Sequence, residues 1–236
     1  MQSRCASFNV LADAWLGYGD YAHVAADLLV PGVRIPHILM LIANLRADVI
    51  GLQEVESPLV AALDATGKWQ QFWSQKQGGE PDGCLTLVRH GITVKDFATH
   101  AYHGSNHIMQ TVTIDGVVFA NTHIQWAPAN ERNHPGVVQM EELLMRLGEK
   151  QPAVILADCN DRPNGPIRAL IEEAGFTNTC GDQPTALINR KQAALDLIAV
   201  RGVRAKRIRT NFRPEGIPNA SCPSDHIPVM AWVRTD

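Results

Sequence analysis

The chain has 236 residues, 45% of them hydrophobic and 19% charged, with a net charge of −3. That composition supports a sizeable core and excludes a disordered chain, and the slightly negative balance excludes a strong overall pull on nucleic acid. Five widely spaced cysteines form neither a zinc nor a disulfide framework and suit a reducing compartment.

Residues 5–11 read as a first strand. Residues 16–36 read as irregular, punctuated by Gly17, Gly19, Pro31 and Gly32. Ile38, Leu39, Leu41, Ile42 and Leu45 recur at helical spacing. Residues 49–53 are a compact apolar run, expected as a buried strand. Residues 59–66 predict a short helix closed by Gly67. Residues 74–83 read as a surface loop, and its last turn, Pro81-Asp82-Gly83, introduces a strand over 84–88. Residues 111–114 and 117–121 flank Asp115-Gly116, a strong hairpin signal. Val137, Met140, Leu144 and Leu147 predict a helix, and 154–157 a buried strand. Gly165-Pro166 opens a helix that Gly175 ends. Residues 194–200 and 229–233 complete the strands. No run nears the ~20 apolar residues of a membrane span, and Met1-Gln2-Ser3-Arg4-Cys5 has no signal-peptide pattern. The expectation is a soluble, cytoplasmic protein of one mixed α/β domain over residues 1–236, with sheets inside and helices outside.

Six polar motifs punctuate these apolar runs: Ser7-Phe8-Asn9-Val10-Leu11, Leu52-Gln53-Glu54-Val55, Asn121-Thr122-His123, Asp158-Cys159-Asn160, Leu195-Asp196-Leu197-Ile198 and Ser224-Asp225-His226. Together they offer carboxylate and amide oxygens for a hard cation, and imidazoles for a phosphate. Glu54, beyond a buried strand, would sit at a sheet edge, and Asn9 ends a strand in the same way. Asp158 and Asn160, two apart, share a face of an extended segment, so one can activate water while the other orients it. Asp196 interrupts an apolar strand and needs a buried partner; a histidine is the natural one, since the pair keeps the imidazole cationic. Asp225-His226 suits a metal carboxylate beside a phosphate-binding imidazole. His123 ends the second strand of the hairpin.

The other histidines, His90, His100, His103, His107 and His134, are read as structural, and Cys84, Cys159 and Cys222 as small buried hydrophobes. Trp126 fits either a base-stacking platform or a core tryptophan. Arg201, Arg204, Lys206, Arg207, Arg209 and Arg213 form the one basic cluster, either a nucleic-acid track or an edge strand guarded by charge.

The motifs, in this order from Asn9 to His226, resemble the endonuclease/exonuclease/phosphatase superfamily with its DNase I-like fold. The runs around Asn9, the stretch 47–56, the segment Asn121-Thr122-His123-Ile124-Gln125-Trp126-Ala127-Pro128 with Gln139 downstream, and Asp158 to Pro163 resemble its deadenylase, nocturnin and Angel-type branch. Arg34 stands where that branch has an arginine before the first helix. Gly136 replaces the branch's arginine three residues before Gln139, with Arg132 nearby, and Cys159 and Leu197 also depart from the usual pattern.

The resemblance implies a four-layer α/β/β/α sandwich with the site at one end of both sheets. It implies that Glu54, Asn9 and Asp225 bind Mg²⁺ or Mn²⁺, as one or two ions. Asp158 would be the base or a second-metal ligand, and Asn160 would orient water. His226, paired with Asp196, and His123 would contact the phosphate, with Asn121 and Trp126 as further substrate contacts. The leading expectation is a phosphodiesterase acting on RNA 3′ ends as an exoribonuclease. The alternatives are a phosphatase for 2′,3′-cyclic phosphate ends or small nucleotides, and a catalytically silent binding module. RNA is the favoured partner, a small phosphoester the other; no membrane and no partner protein is implied.

Overall fold

The computed structural model describes residues 2–128 and 134–235; Arg132 lies outside them. Two six-stranded sheets face each other. In the first, β1 (Gln2–Asn9) runs parallel to β2 (Val49–Glu56), with α1 (Ile35–Leu45) as the crossover. After α2 (Ser57–Asp64), β3 (Trp69–Gln75) and β4 (Asp82–Arg89) extend that sheet antiparallel. The second sheet repeats the plan. β5 (Asp96–Ala101), β6 (Ile108–Ile114) and β7 (Val117–His123) form a meander, and β7 runs parallel to β8 (Ala153–Asp158) through the crossover α3 (Pro135–Leu147). After α4 (Pro166–Glu173) come the short β9 (Thr177–Asn178) and the small hairpin β10 (Ala186–Ile188)–β11 (Lys191–Ala193). β12 (Asp196–Arg201) joins β8 antiparallel, while β13 (Arg204–Ile208) and β14 (Val229–Arg234) complete the first sheet beside β1.

Three apolar layers explain why the sandwich holds. α1 and α2 pack Ile38, Leu41, Ile42, Leu59 and Leu63 on the outer face of the first sheet, against Phe8, Ile50 and Leu52. α3 and α4 pack Met140, Leu143, Ile167 and Ile171 on the second, against Ile155 and Ala157. Between the sheets, Val49, Val112, Phe119, Val154 and Ile198 interdigitate. Strands buried on both faces need continuous apolar runs, and β8 is buried at every position. This is the expected α/β/β/α order. The buried stripe of α3 is Gln139, Met140, Leu143 and Leu147, with Val137 and Leu144 half-buried at its margin.

The segment expected as irregular holds two short 3₁₀ turns, Asp13–Tyr18 and Ala26–Leu29. The expected surface loop at 74–83 is shorter, because its ends belong to β3 and β4. The basic cluster supplies β13, which is an edge strand with Arg204, Lys206 and Arg207 exposed. Among the described residues, no helix is long and apolar enough to cross a membrane.

Candidate active site

Both crossovers are right for placing chemistry at one end. β1, β2, β7 and β8 all finish on the same side, and β12 begins there. Functional groups at the carboxyl ends of parallel strands gather in one crevice. Asn9 ends β1, His123 ends β7 and Asp158 ends β8. His123 and Asp196 both stand opposite Asp158 in the register. Asp225 and His226 arrive on the loop before β14. That loop is fixed when the Ser224 hydroxyl donates to the Asn9 carbonyl (2.7 Å) and accepts the His226 N–H (3.1 Å).

Glu54 is not beyond β2 but within it. The register with β4 shifts between Leu52 and Val55, and Glu54 has φ +55°. A bulge of this kind re-aims one side chain, here toward the crevice, before the strand resumes. The Asn9 amide joins the two halves: its Nδ2 donates to Glu54 Oε1 and to Asp158 Oδ2, both at 2.9 Å. Its Oδ1 accepts the Leu11 N–H (2.9 Å).

Asp158 is the centre of the arrangement. Its Oδ1 accepts the Asn160 N–H at 3.0 Å. Nε2 of His123 and Nε2 of His226 each lie 3.7 Å from its Oδ2. His226 Nδ1 is bonded to Asp196 Oδ2 at 2.8 Å, as the sequence required of a carboxylate inside an apolar strand. Burial by itself would push His226 down. The carboxylates of Asp196, Asp158 and Asp225 overcome it and hold the imidazole well above its ordinary value. His123 is the reverse case: burial, then Lys76 and the neighbouring imidazoles of His107 and His226, push it well below. Burial also raises Asp158, against the pull of His226.

Glu54 is pushed up to about 7 by burial and then by Asp225, against the Asn9 hydrogen bond. Two carboxylates facing each other in a buried setting repel, and a hard cation between them would relieve that. Glu54, Asp225 and the second lone pair of Asn9 Oδ1 form an all-oxygen set that suits Mg²⁺ or Mn²⁺. Asp158, Asp196 and His226 also place ligand atoms within 4.8 Å of one another, but the short Asp196–His226 bond already occupies Nδ1.

Two expected substrate contacts fall out differently. Asn121 is fully buried one layer below the crevice. A buried amide must pair its polar atoms, and Asn121 does so between the sheets, with Gln53 Nε2 (2.8 Å), the Leu52 carbonyl (3.2 Å) and Thr86 Oγ1 (3.3 Å). It anchors the strand that carries His123 rather than meeting substrate. Gly51 makes room for it, since a Cβ there would lie 2.9 Å from Asn121 Oδ1. Trp126 is 66% exposed, so the core reading fails and the ring is free to stack.

Four contributors escaped the sequence. The Tyr21 hydroxyl donates to Asp225 Oδ2 at 2.8 Å from a segment that carries no motif. Lys76 sits buried against Asp82 at 2.7 Å, although the loop around it reads as polar surface. His107, read as structural, packs its ring edge-on to His123 at 5.5 Å. Thr185, also unmarked, accepts the N–H groups of Leu195 and Asp196 at 3.0 Å and so fixes the carboxylate. Arg34 is buried and donates to the carbonyls of Val10 (3.0 Å), Leu11 (2.5 Å) and Pro223 (2.8 Å), binding the loop after Asn9 to the one before Asp225.

A crevice with these oxygen ligands and paired imidazoles is built for phosphoester chemistry. Residues 6–226 match the Endonuclease/Exonuclease/phosphatase family, and the chain belongs to it, a family of phosphoester hydrolases. Protein angel homolog 2 of Bos taurus is 24% identical over 202 residues, which cover 71% of this chain and 36% of the relative. Its Mus musculus counterpart is 25% identical over 199 residues with the same coverage. The chain thus spans about a third of the length of the curated relatives it matches. Among solved structures, ANGEL2, described as a 2′,3′-cyclic phosphatase and bound to adenosine-2′,3′-vanadate, superposes with TM-score 0.84 at 18% identity, covering 100% of this chain and 96% of that one. The human Nocturnin catalytic domain with bound sulfate superposes with TM-score 0.76 at 19% identity, covering 100% and 94%.

Proposed function

We propose that the chain is a divalent-cation-dependent hydrolase of phosphoesters at RNA 3′ ends, with the terminal 2′,3′-cyclic phosphate as its substrate. The observation that carries the hydrolase reading is the Asp158 carboxylate held between the Nε2 atoms of His123 and His226, each 3.7 Å away, with His226 bonded in turn to Asp196. The cyclic-phosphate reading is supported by the likeness to ANGEL2 and to the Angel relatives.

In this reading water attacks phosphorus and the P–O bond to one ribose oxygen breaks. Asp158 accepts the water proton; the Asn9 and Asn160 hydrogen bonds fix both its oxygens in place. The Asn160 Nδ2 is taken by His123 Nε2 and the Ile124 carbonyl, each at 2.9 Å, which leaves its Oδ1 to orient that water. His226 presents its Nε2–H and a fixed charge to a phosphate oxygen, where preorganised donors are worth most. Its counter-ion Asp196 maintains that charge. His123 accepts from Asn160 and carries its proton on Nδ1, toward Glu54 Oε1 at 3.9 Å. A Mg²⁺ or Mn²⁺ held by Glu54, Asp225 and Asn9 would neutralise charge on the phosphate and stabilise the leaving oxygen.

Exonucleolytic shortening of RNA is the second reading, favoured by the exposed Trp126 ring beside the His123 loop. A time course with 5′-labelled RNA ending in 3′-OH, 3′-phosphate or 2′,3′-cyclic phosphate, with Mg²⁺, Mn²⁺ or EDTA, separates them. A single mobility shift limited to the cyclic end, abolished by EDTA and by Asp158→Ala, is the expected result. A ladder from the 3′ end replaces the cyclic reading with the exonuclease. Inertness of all three RNAs rejects both.

A further inference from the structure

Beside His123 lies a groove of about 680 Å³, within the usual size of a small-molecule site. Gln77, His103, Ser105, Asn106, His107 and Gln125 line it, none of its lining residues is a lysine or arginine, and Glu80 gives it a carboxylate. Such a lining disfavours phosphate and offers amide, hydroxyl and imidazole groups to a neutral polar molecule. We propose that this groove is a nucleoside subsite, which receives the base and ribose of the terminal nucleotide while its phosphate lies at His226 and Asp158. The inference rests on the proposed reaction and names the part of the substrate that the groove selects.

Its walls are tied to the reactive strand. The Nδ1–H of His107 donates to the His123 carbonyl at 2.8 Å, so Nε2 is left as an acceptor. The hydroxyls of Tyr102 and Thr122 bond at 2.8 Å. Gln139, buried on α3, accepts the Gln125 N–H through Oε1 and donates to Ser105 Oγ through Nε2, both at 2.8 Å. Ser105 in turn donates to Gln125 Oε1 (3.2 Å) and accepts the His107 N–H (3.1 Å). A loop locked by a buried glutamine loses little freedom on binding, which is how a preorganised site gains affinity. The route from groove to phosphate is short: Gln125 is two residues beyond His123, and the His107 ring lies against the His123 ring. His103 and Asn106 are exposed at the rim and take no part in the catalytic hydrogen bonds, so they can be changed without touching them.

The test is a ¹H–¹⁵N titration of the full chain with adenosine, which carries no phosphate. The expected result is amide shifts at residues 103–107 and 125. Affinity should fall about fivefold or more in the His103→Ala, Asn106→Ala double variant, the loss of one or two hydrogen bonds, and stay unchanged in Asp158→Ala. With adenosine 2′,3′-cyclic phosphate the double variant should raise KM by a similar factor at unchanged kcat. Shifts elsewhere, no shifts, or equal affinity in the double variant overturn the subsite even if the RNA is hydrolysed. Adenosine binding in the groove by a protein that hydrolyses no RNA end keeps the subsite and removes the proposed reaction.

Discussion

His123 and His226 stand at the same distance from Asp158, one at the end of a strand of the second sheet, the other on a loop of the first. The balance of charge and burial around them differs. Three carboxylates face His226, and one of them bonds its Nδ1. His123 faces Lys76 and two other imidazoles, and its Nε2 accepts from a neutral amide. In the proposed reaction the same side chain would therefore supply a fixed cation on one side of Asp158 and a neutral, orienting group on the other. Residue type does not decide the role; the charges packed around it do.

The largest effects are expected at the charged side. His226→Ala and Asp158→Ala should each lower kcat by at least ~10²-fold in steady-state assays on a cyclic-ended RNA. Asp196→Asn keeps the shape of the hydrogen bond but removes the counter-ion, so kcat should fall roughly 10- to 100-fold, the scale of one charge-assisted bond. On the neutral side, Asn160→Ala should cost about tenfold, because a neutral hydrogen bond is lost. Asn160→Ala exceeding Asp196→Asn would reverse the assignment of roles. At the cation site, Mg²⁺ should raise Tm in wild type, and Glu54→Gln should abolish most of that rise in differential scanning fluorimetry.

The smallest effect lies next to His123. Burial, then Lys76, holds His107 down to about 4, against about 6.5 in the unfolded chain. Its share of stability is thus fully present above about pH 6.5 and is lost as pH falls toward about 4. The raised His226 has the opposite slope, present below about 6.5 and lost as pH rises through its folded value. In metal-free protein, His107→Asn should flatten the acid-side fall in Tm, whereas His226→Gln should flatten the alkaline side.

Much of this site was legible because its signals are local. Carboxylates, amides and imidazoles at the ends of apolar runs mark strand ends, and parallel strands bring those ends together. Asp196 announced a partner because an apolar strand leaves a carboxylate no other way to be satisfied. What was not legible depends on long-range packing. The bulge at Glu54 exists only through pairing with β4, and Tyr21 reaches Asp225 from a stretch with no periodicity. Lys76 reads as a loop lysine until Asp82 is brought beside it. β3 escaped because its residues from Trp69 to Ser74 are half-buried on both faces and show no alternation. β13 could be read from its charges only as one of two alternatives, an edge strand being one of them, and the strand does lie at the sheet edge.

The claim that one imidazole is charged and the other neutral is tested most directly by long-range ¹H–¹⁵N spectra of the histidine rings, in EDTA, with His123→Gln and His226→Gln for assignment. The account predicts that His226 carries two ring protons at about pH 7.5, a unit above the ordinary histidine value of about 6.5, while His123 carries one at about pH 5.5, a unit below it. Two rings that titrate together near 6.5 would contradict it.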